Sequence, residues 1–155
     1  MSADLRTLLG SEELGDATAR LVQAVEPLRI VTGWATVELD RAEEEVAALL
    51  GHATGVAVTE AAPDLVLGAR CRILRSASTE IVLLEPSTEG RLAAGLARHG
   101  EGSLVAYLLA DAAAPERARR SGFQLSNEGA GPFGRERLVR SVPRWGPFLV
   151  LAGLD

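Results

Sequence analysis

A chain of 155 residues, 47% hydrophobic and 24% charged with a net charge of −5, suits one domain that buries roughly 70% of its unfolded surface. All 16 basic residues are arginine, which excludes lysine Schiff bases, lysine general bases and P-loop lysines. A single cysteine (Cys71) excludes an internal disulfide and a cysteine zinc cluster, and two histidines (His52, His99) leave little for a His-rich metal site. The acidic balance, with arginines dispersed from Arg6 to Arg144, lacks the clustered positive charge of a nucleic-acid binder. No apolar run approaches the roughly 20 residues of a membrane span, and Met1-Ser-Ala-Asp-Leu-Arg6 lacks a secretion signal's layout. The expectation is a cytoplasmic protein with neither nucleic-acid nor membrane partners.

Residues 1–29 read as a helical extension. Leu5, Leu8 and Leu9 share one face; Asp16 caps a second helix through Leu21, Val22 and Val25, which Glu26-Pro27 ends. The segment either covers a sheet edge, packs on a partner or acts as a lid. Residues 30–39 are β-branched and aromatic, a strand by composition. Asp40 then occupies an N-cap position, with Glu43, Glu44 and Glu45 where the helix dipole favours them; Val46, Leu49 and Leu50 form the apolar stripe and Gly51 the stop. Short strands follow near 56–59, 70–75 and 80–84, the last two joined by a tight turn at Ser76-Ala-Ser-Thr79. The same order recurs: a connecting helix over 87–99, a strand over 103–109, a helix capped by Asp111 and stopped by Gly122, then strands at 123–127, 136–141 and 148–152. An ungapped shift of 71 residues pairs Ala35 with Ala106, Asp40 with Asp111, Glu45 with Glu116 and Gly51 with Gly122. The fold class is therefore α+β: two tandem βαβββ modules forming a cupped, mostly antiparallel sheet behind an N-terminal helical extension. One domain spans 30–153, with module one at 30–86, a linker helix at 87–102 and module two at 103–153.

Ile81-Val-Leu-Leu-Glu-Pro86, a helix, Gly100-Glu-Gly102 and Leu104-Val-Ala-Tyr107, in that order, resemble the centre of the vicinal oxygen chelate superfamily. That superfamily includes glyoxalase I, bleomycin-resistance proteins, extradiol dioxygenases and methylmalonyl-CoA epimerase, and the likeness is greatest to the epimerase-like members. The resemblance implies two metal ligands per module, on the first and last strands of the cupped face. Here those places fall at Gly33, Val82, Leu104 and Leu149, none of which carries a donor atom. The chain thus resembles a metal-free member, with no cofactor, and the resemblance also implies a homodimer.

Period-2 alternation puts Gly33, Ala35 and Val37, Glu80, Val82 and Leu84, Leu104, Ala106 and Leu108, and Leu149 and Leu151 on the concave face. By the same rule Trp34 and Tyr107 fall on the opposite face, against the helices. The candidate ligand-binding residues are Gly33, Ala35, Val82, Leu84, Leu104, Ala106 and Leu149, joined by Trp145 on a Gly/Pro-rich loop and by Arg72, which could meet an anionic group. Glu80 is the candidate general base, as the acidic residue on that face. A second glycine- and proline-rich loop is expected at Gly129-Ala-Gly-Pro-Phe-Gly134. Three readings stay open, in this order. The first is a metal-independent binder of a hydrophobic small molecule, whose cleft the small residues keep open. The second is a metal-free isomerase, epimerase or lyase acting on a carbonyl or acyl-thioester compound. The third is a ligand-free interaction module whose cleft has filled in.

Overall fold

A computed structural model describes residues 12–50, 55–140 and 146–155. Its elements run α1 (Glu12–Val25), β1 (Arg29–Ala35), α2 (Leu39–Leu49), β2 (Ala57–Asp64), β3 (Ala69–Arg75), β4 (Glu80–Pro86), α3 (Arg91–His99), β5 (Gly102–Leu109), α4 (Ala114–Arg120), β6 (Gly129–Gly131), β7 (Gly134–Leu138) and β8 (Phe148–Ala152). One eight-stranded sheet takes the order β2-β3-β4-β1-β5-β8-β7-β6. Each module contributes four strands. β1 pairs β4 and β5 pairs β8 in parallel, the remaining neighbours are antiparallel, and the two halves meet at β1 and β5. The sheet curls until its edges meet, where the Leu65 amide beyond β2 donates to the Ala130 carbonyl of β6 at 2.9 Å. The expected cupped α+β architecture is present.

The outer face of the sheet is covered by helices. On module one, Leu39, Ala42 and Val46 of α2 pack on Leu74 and Leu83, with Trp34 beside them. On module two, α4 offers Ala114 and Ala118 to Ala106, Leu108, Leu149 and Leu151, and α1 adds Leu21 and Val25 to the same cluster. The extension is thus packed on the outer face of module two. Arg117 of α4 ties it down, donating to the Val25 carbonyl at 2.7 Å while pairing with Asp111 at 3.0 Å. The expected helix around Leu5–Leu9 lies outside the described residues.

The first turn of α2 is capped from a distance. Asp40 does not cap it; the N-cap is Glu38, whose side chain makes no capping bond, and Asp40 instead accepts from Arg72 at 2.7 Å. The amide of Leu39 donates to Glu85 at 3.0 Å, and that of Val37 to Glu101 at 3.1 Å. Glu101 also accepts from the Thr36 hydroxyl and from Arg41 at 2.9 Å. The glutamates of Leu84-Glu-Pro86 and Gly100-Glu-Gly102 therefore supply, from β4 and from the loop before β5, the acceptors that a helix start lacks.

Facing differs from the expectation in module two. Gly33 pairs with Val105 but Trp34 with Ser103, so Leu104 is an extra residue, a β-bulge. Beyond it the alternation of β5 reverses. Val105 and Tyr107 face inward, and Ala106 and Leu108 outward. β8 follows its partner, with Phe148, Val150 and Ala152 inward and Leu149 and Leu151 outward. Across β1 and β5 the modules therefore correspond at an offset of 72 residues, as between Gly33 and Val105, and the 71-residue shift is one short there. The strand expected at 123–127 reduces to a single bridge between Leu125 and Val139. The stretch Gly129–Gly134 is no loop but the β6–β7 hairpin.

Candidate functional site

The inner face of the cup is apolar nearly everywhere. Val31, Ala35, Cys71, Ile73, Val82 and Leu84 of module one meet Val105, Tyr107, Phe148 and Val150 of module two, all at most 5% exposed. Gly33 opens no space here. A Cβ at this residue would stand 2.7 Å from Val105 Cβ and 2.8 Å from Leu84 Cδ1. The small side chain admits close packing across β1 and β5, so the expected small-residue cleft is filled at that point.

Three polar residues interrupt the apolar lining. Asp64, at the end of β2, accepts from the Leu67 amide at 2.8 Å and from the Tyr107 hydroxyl at 2.7 Å. Glu136 of β7 is the third, with 0% exposure. Its carboxyl lies where a Cβ of Gly131 would stand, 1.8 Å from Oε1, so the hairpin needs glycine there to house it. Burial first, the nearby Asp64 charge second and a side-chain hydrogen bond with Asp64 third push the Glu136 carboxyl up to about 10, so its proton is held between the two carboxyl groups at physiological pH. Burial and the Asp64 charge likewise raise the Cys71 thiol to about 12 and the Tyr107 phenol well above its usual range. Tyr107 also meets Phe133 of the β6–β7 turn edge-on, ring centres 5.5 Å apart. The cluster is thus two carboxyl groups, Asp64 and Glu136, hydrogen-bonded to each other in an apolar enclosure, with the Leu67 amide and the Tyr107 hydroxyl donating to Asp64.

The residues singled out from the sequence distribute differently. Gly33, Ala35, Val82, Leu84 and Leu104 line the cup. Ala106 and Leu149 do not, packing instead beneath α1 and α4 because the bulge inverts their strands. Arg72 is on the outer face, held by Asp40 at 2.7 Å, Glu43 at 3.4 Å and Glu60 at 2.6 Å, and meets no cup residue. Glu80 opens β4 with both oxygens engaged, one by Arg29 at 3.3 Å and one by Arg75 at 2.6 Å. Trp145 lies outside the described residues. Tyr107, expected on the outer face, is fully buried in the cup. Alternation along Glu136-Arg-Leu138 signals an inward Glu136, and Pro63-Asp64 signals a turn that an aspartate caps. Nothing in the sequence signals that these two residues, 72 positions apart, meet.

A metal ion does not fit these side chains. On the inner faces of the first and last strands, Gly33 and Val82 of module one and Val105 and Phe148 of module two carry no donor, and no three His, Cys, Asp or Glu groups among the described residues could hold one.

The cupped sheet built from two βαβββ modules is the vicinal oxygen chelate fold. No protein-family model and no curated protein matches the sequence. Among solved structures the chain is similar to methylmalonyl-CoA epimerase from Mycobacterium tuberculosis, at 21% identity and a TM-score of 0.69, over 85% of this chain and 90% of that one. It is also similar to a variant of the Streptomyces coelicolor methylmalonyl-CoA epimerase in complex with 2-nitronate-propionyl-CoA, at 23% identity and a TM-score of 0.65, over 81% and 93%. A Bacillus halodurans protein shares the fold at 16% identity and a TM-score of 0.63, over 79% and 90%.

Proposed function

We propose that this protein binds a small molecule with an apolar body and a polar end group in the cup of residues 30–153, without a metal ion. The observation that carries the reading is Glu136. Two carboxyl groups buried together in an apolar enclosure cost folding free energy, and groups with pKa values perturbed in this way cluster at functional sites. The fold adds support, since similar structures hold acyl-CoA compounds. Native mass spectrometry of the purified protein, with elemental analysis of the same sample, tests the reading. A retained small molecule, or a complex formed on adding an acyl-CoA panel, without stoichiometric metal, is the expected outcome. Bare protein that takes up no acyl-CoA, or one equivalent of bound divalent metal, would overturn it.

The paired acids favour a second reading, a metal-independent isomerase or epimerase acting on a carbonyl or acyl-thioester compound. Neighbouring carboxyl groups in opposite protonation states are how a site holds an acid and a base at one pH. Asp64 would be the proton acceptor and Glu136 the donor, and Glu80, bound between two arginines, takes no part. Exchange of the α-proton for deuterium in a bound acyl thioester distinguishes catalysis from binding alone. A homodimer and a cytoplasmic setting belong to the proposal as well, resting on the resemblance and the sequence; light scattering decides the former.

A further inference from the structure

Asp64 and Glu136 stand where the two edges of the sheet meet, and we infer that the proton they share is the latch of that seam, so that the edge of the cup loosens as pH rises through the neutral range. The modules are joined at two places. At the first, β1 and β5 pair along their whole length, from Arg29–Leu109 to Ala35–Gly102. The seam between β2 and β6 is held by less. The Leu65 amide donates to the Ala130 carbonyl at 2.9 Å, and the Val66 side chain fills the place of a Cβ at Gly129. Asp64 directly precedes these two residues, and Glu136 pairs with Gly129 across the β6–β7 hairpin. The hydrogen bond between the two carboxyl groups therefore runs across the seam, from module one to module two.

The surroundings make that bond depend on one proton. Two carboxyl groups bind each other while one is protonated, whereas two carboxylates in an apolar enclosure repel strongly. The facing groups do not compensate. Cys71 of β3 and Tyr107 of β5 are held neutral, and β6 and β8 set Gly129 and Ala152 opposite Glu136. The buried polar and charged side chains of the described residues are Thr18, Thr36, Asp64 and Glu136, with no cation among them. Arg29 lies over the Phe133 ring and pairs with Glu80. Parting of the edges lets water reach Glu136, whose carboxyl then returns from about 10 to the ordinary value of about 4.3. A carboxyl raised in the closed state holds the seam fully below the open-state value, and that hold is lost as pH rises toward the closed-state one. Between the two values each opening releases a proton, so opening grows up to about tenfold per pH unit.

Amide hydrogen exchange of the full chain, followed by NMR between about pH 6 and 8 and expressed as protection relative to an unstructured chain, tests this. The Leu65 amide is expected to be at least about tenfold less protected than the β1–β5 ladder, and to lose up to about tenfold in protection per pH unit. In E136Q a side-chain N–H donates to Asp64 in place of the shared proton, so the Leu65 amide should keep one protection across the range. Should E136Q fail to fold, the unsubstituted chain still decides, because a Leu65 amide of constant protection overturns the inference. A Leu65 amide as well protected as the ladder overturns it too, since the seam would then open only with the whole molecule. The same pH dependence in E136Q as in the parent overturns it as well.

Discussion

Glu136 is where folding and function pull apart most visibly. Because its carboxyl is protonated when folded and ionised in the unfolded chain at neutral pH, folding takes up a proton. A carboxyl raised in this way contributes its stability fully below the unfolded value of about 4.3, and that stability is lost as pH rises toward the folded value of about 10. Denaturant unfolding at several pH values between about 6 and 9 should therefore show the parent losing stability relative to E136Q, by up to about 1.4 kcal/mol per pH unit. Equal slopes for the two proteins would mean that Glu136 is ionised when folded. The partner of Tyr107 sets a second expectation. Tyr107→Phe keeps the ring in the cup but leaves Asp64 Oδ2 buried without its donor. A loss of about 1–3 kcal/mol in denaturant unfolding is expected, and no loss would show that this hydrogen bond holds nothing.

At the scale of elements, the strings that carry the family resemblance turn out to be helix caps. Glu85 and Glu101 reach across from β4 and the α3–β5 loop to the backbone that starts α2. Their acceptor role explains glutamate at both places without any catalytic duty. The Thr36 hydroxyl first, and Arg41 with it, hold the Glu101 carboxyl below the usual carboxylate range. A lowered carboxyl stabilises above its unfolded value and loses that contribution as pH falls through the folded one. Glu101→Gln should accordingly lower the melting temperature at neutral pH and flatten the acid limb, so that variant and parent converge as pH falls; a profile that runs parallel to the parent's would remove Glu101 from the cap. Strand β1 offers a steric counterpart. Gly33→Ala places a methyl group 2.7 Å from Val105 Cβ, and overpacking of that kind costs about 1–3 kcal/mol. Stability at or above the parent's would instead reveal usable space beneath β1.

Over the whole molecule, two layers clamp one sheet. Helices cover its outer face and the other module closes its inner face, so β5 and β8 are buried on both sides. The N-terminal extension belongs to the outer layer. Leu21, with 0% exposure, is its anchor against α4 and β8. Leu21→Ala should cost about 2–5 kcal/mol in equilibrium unfolding, the range of a buried leucine that leaves a cavity. A cost near zero would make the extension an appendage that module two does not need.

Local chemistry wrote much of this into the sequence. The order of elements in module one, the turn at Ser76–Thr79, the outward Trp34 and the inward set of β1 and β4 followed from period, breakers and alternation. These strands have one polar or helix-facing side, so their pattern names a face. Module two has no such contrast. Gly102-Ser-Leu-Val-Ala-Tyr-Leu-Leu109 and Phe148-Leu-Val-Leu-Ala152 are apolar on both sides, and a run of that kind leaves its facing undefined. One bulged residue, Leu104, then decided which half of each strand entered the cup. It turned Tyr107 inward and Leu149 outward. The sequence alone therefore determined the architecture. Only the tertiary structure decided the site, because Asp64, Tyr107 and Glu136 come together through sheet closure, which no local pattern encodes.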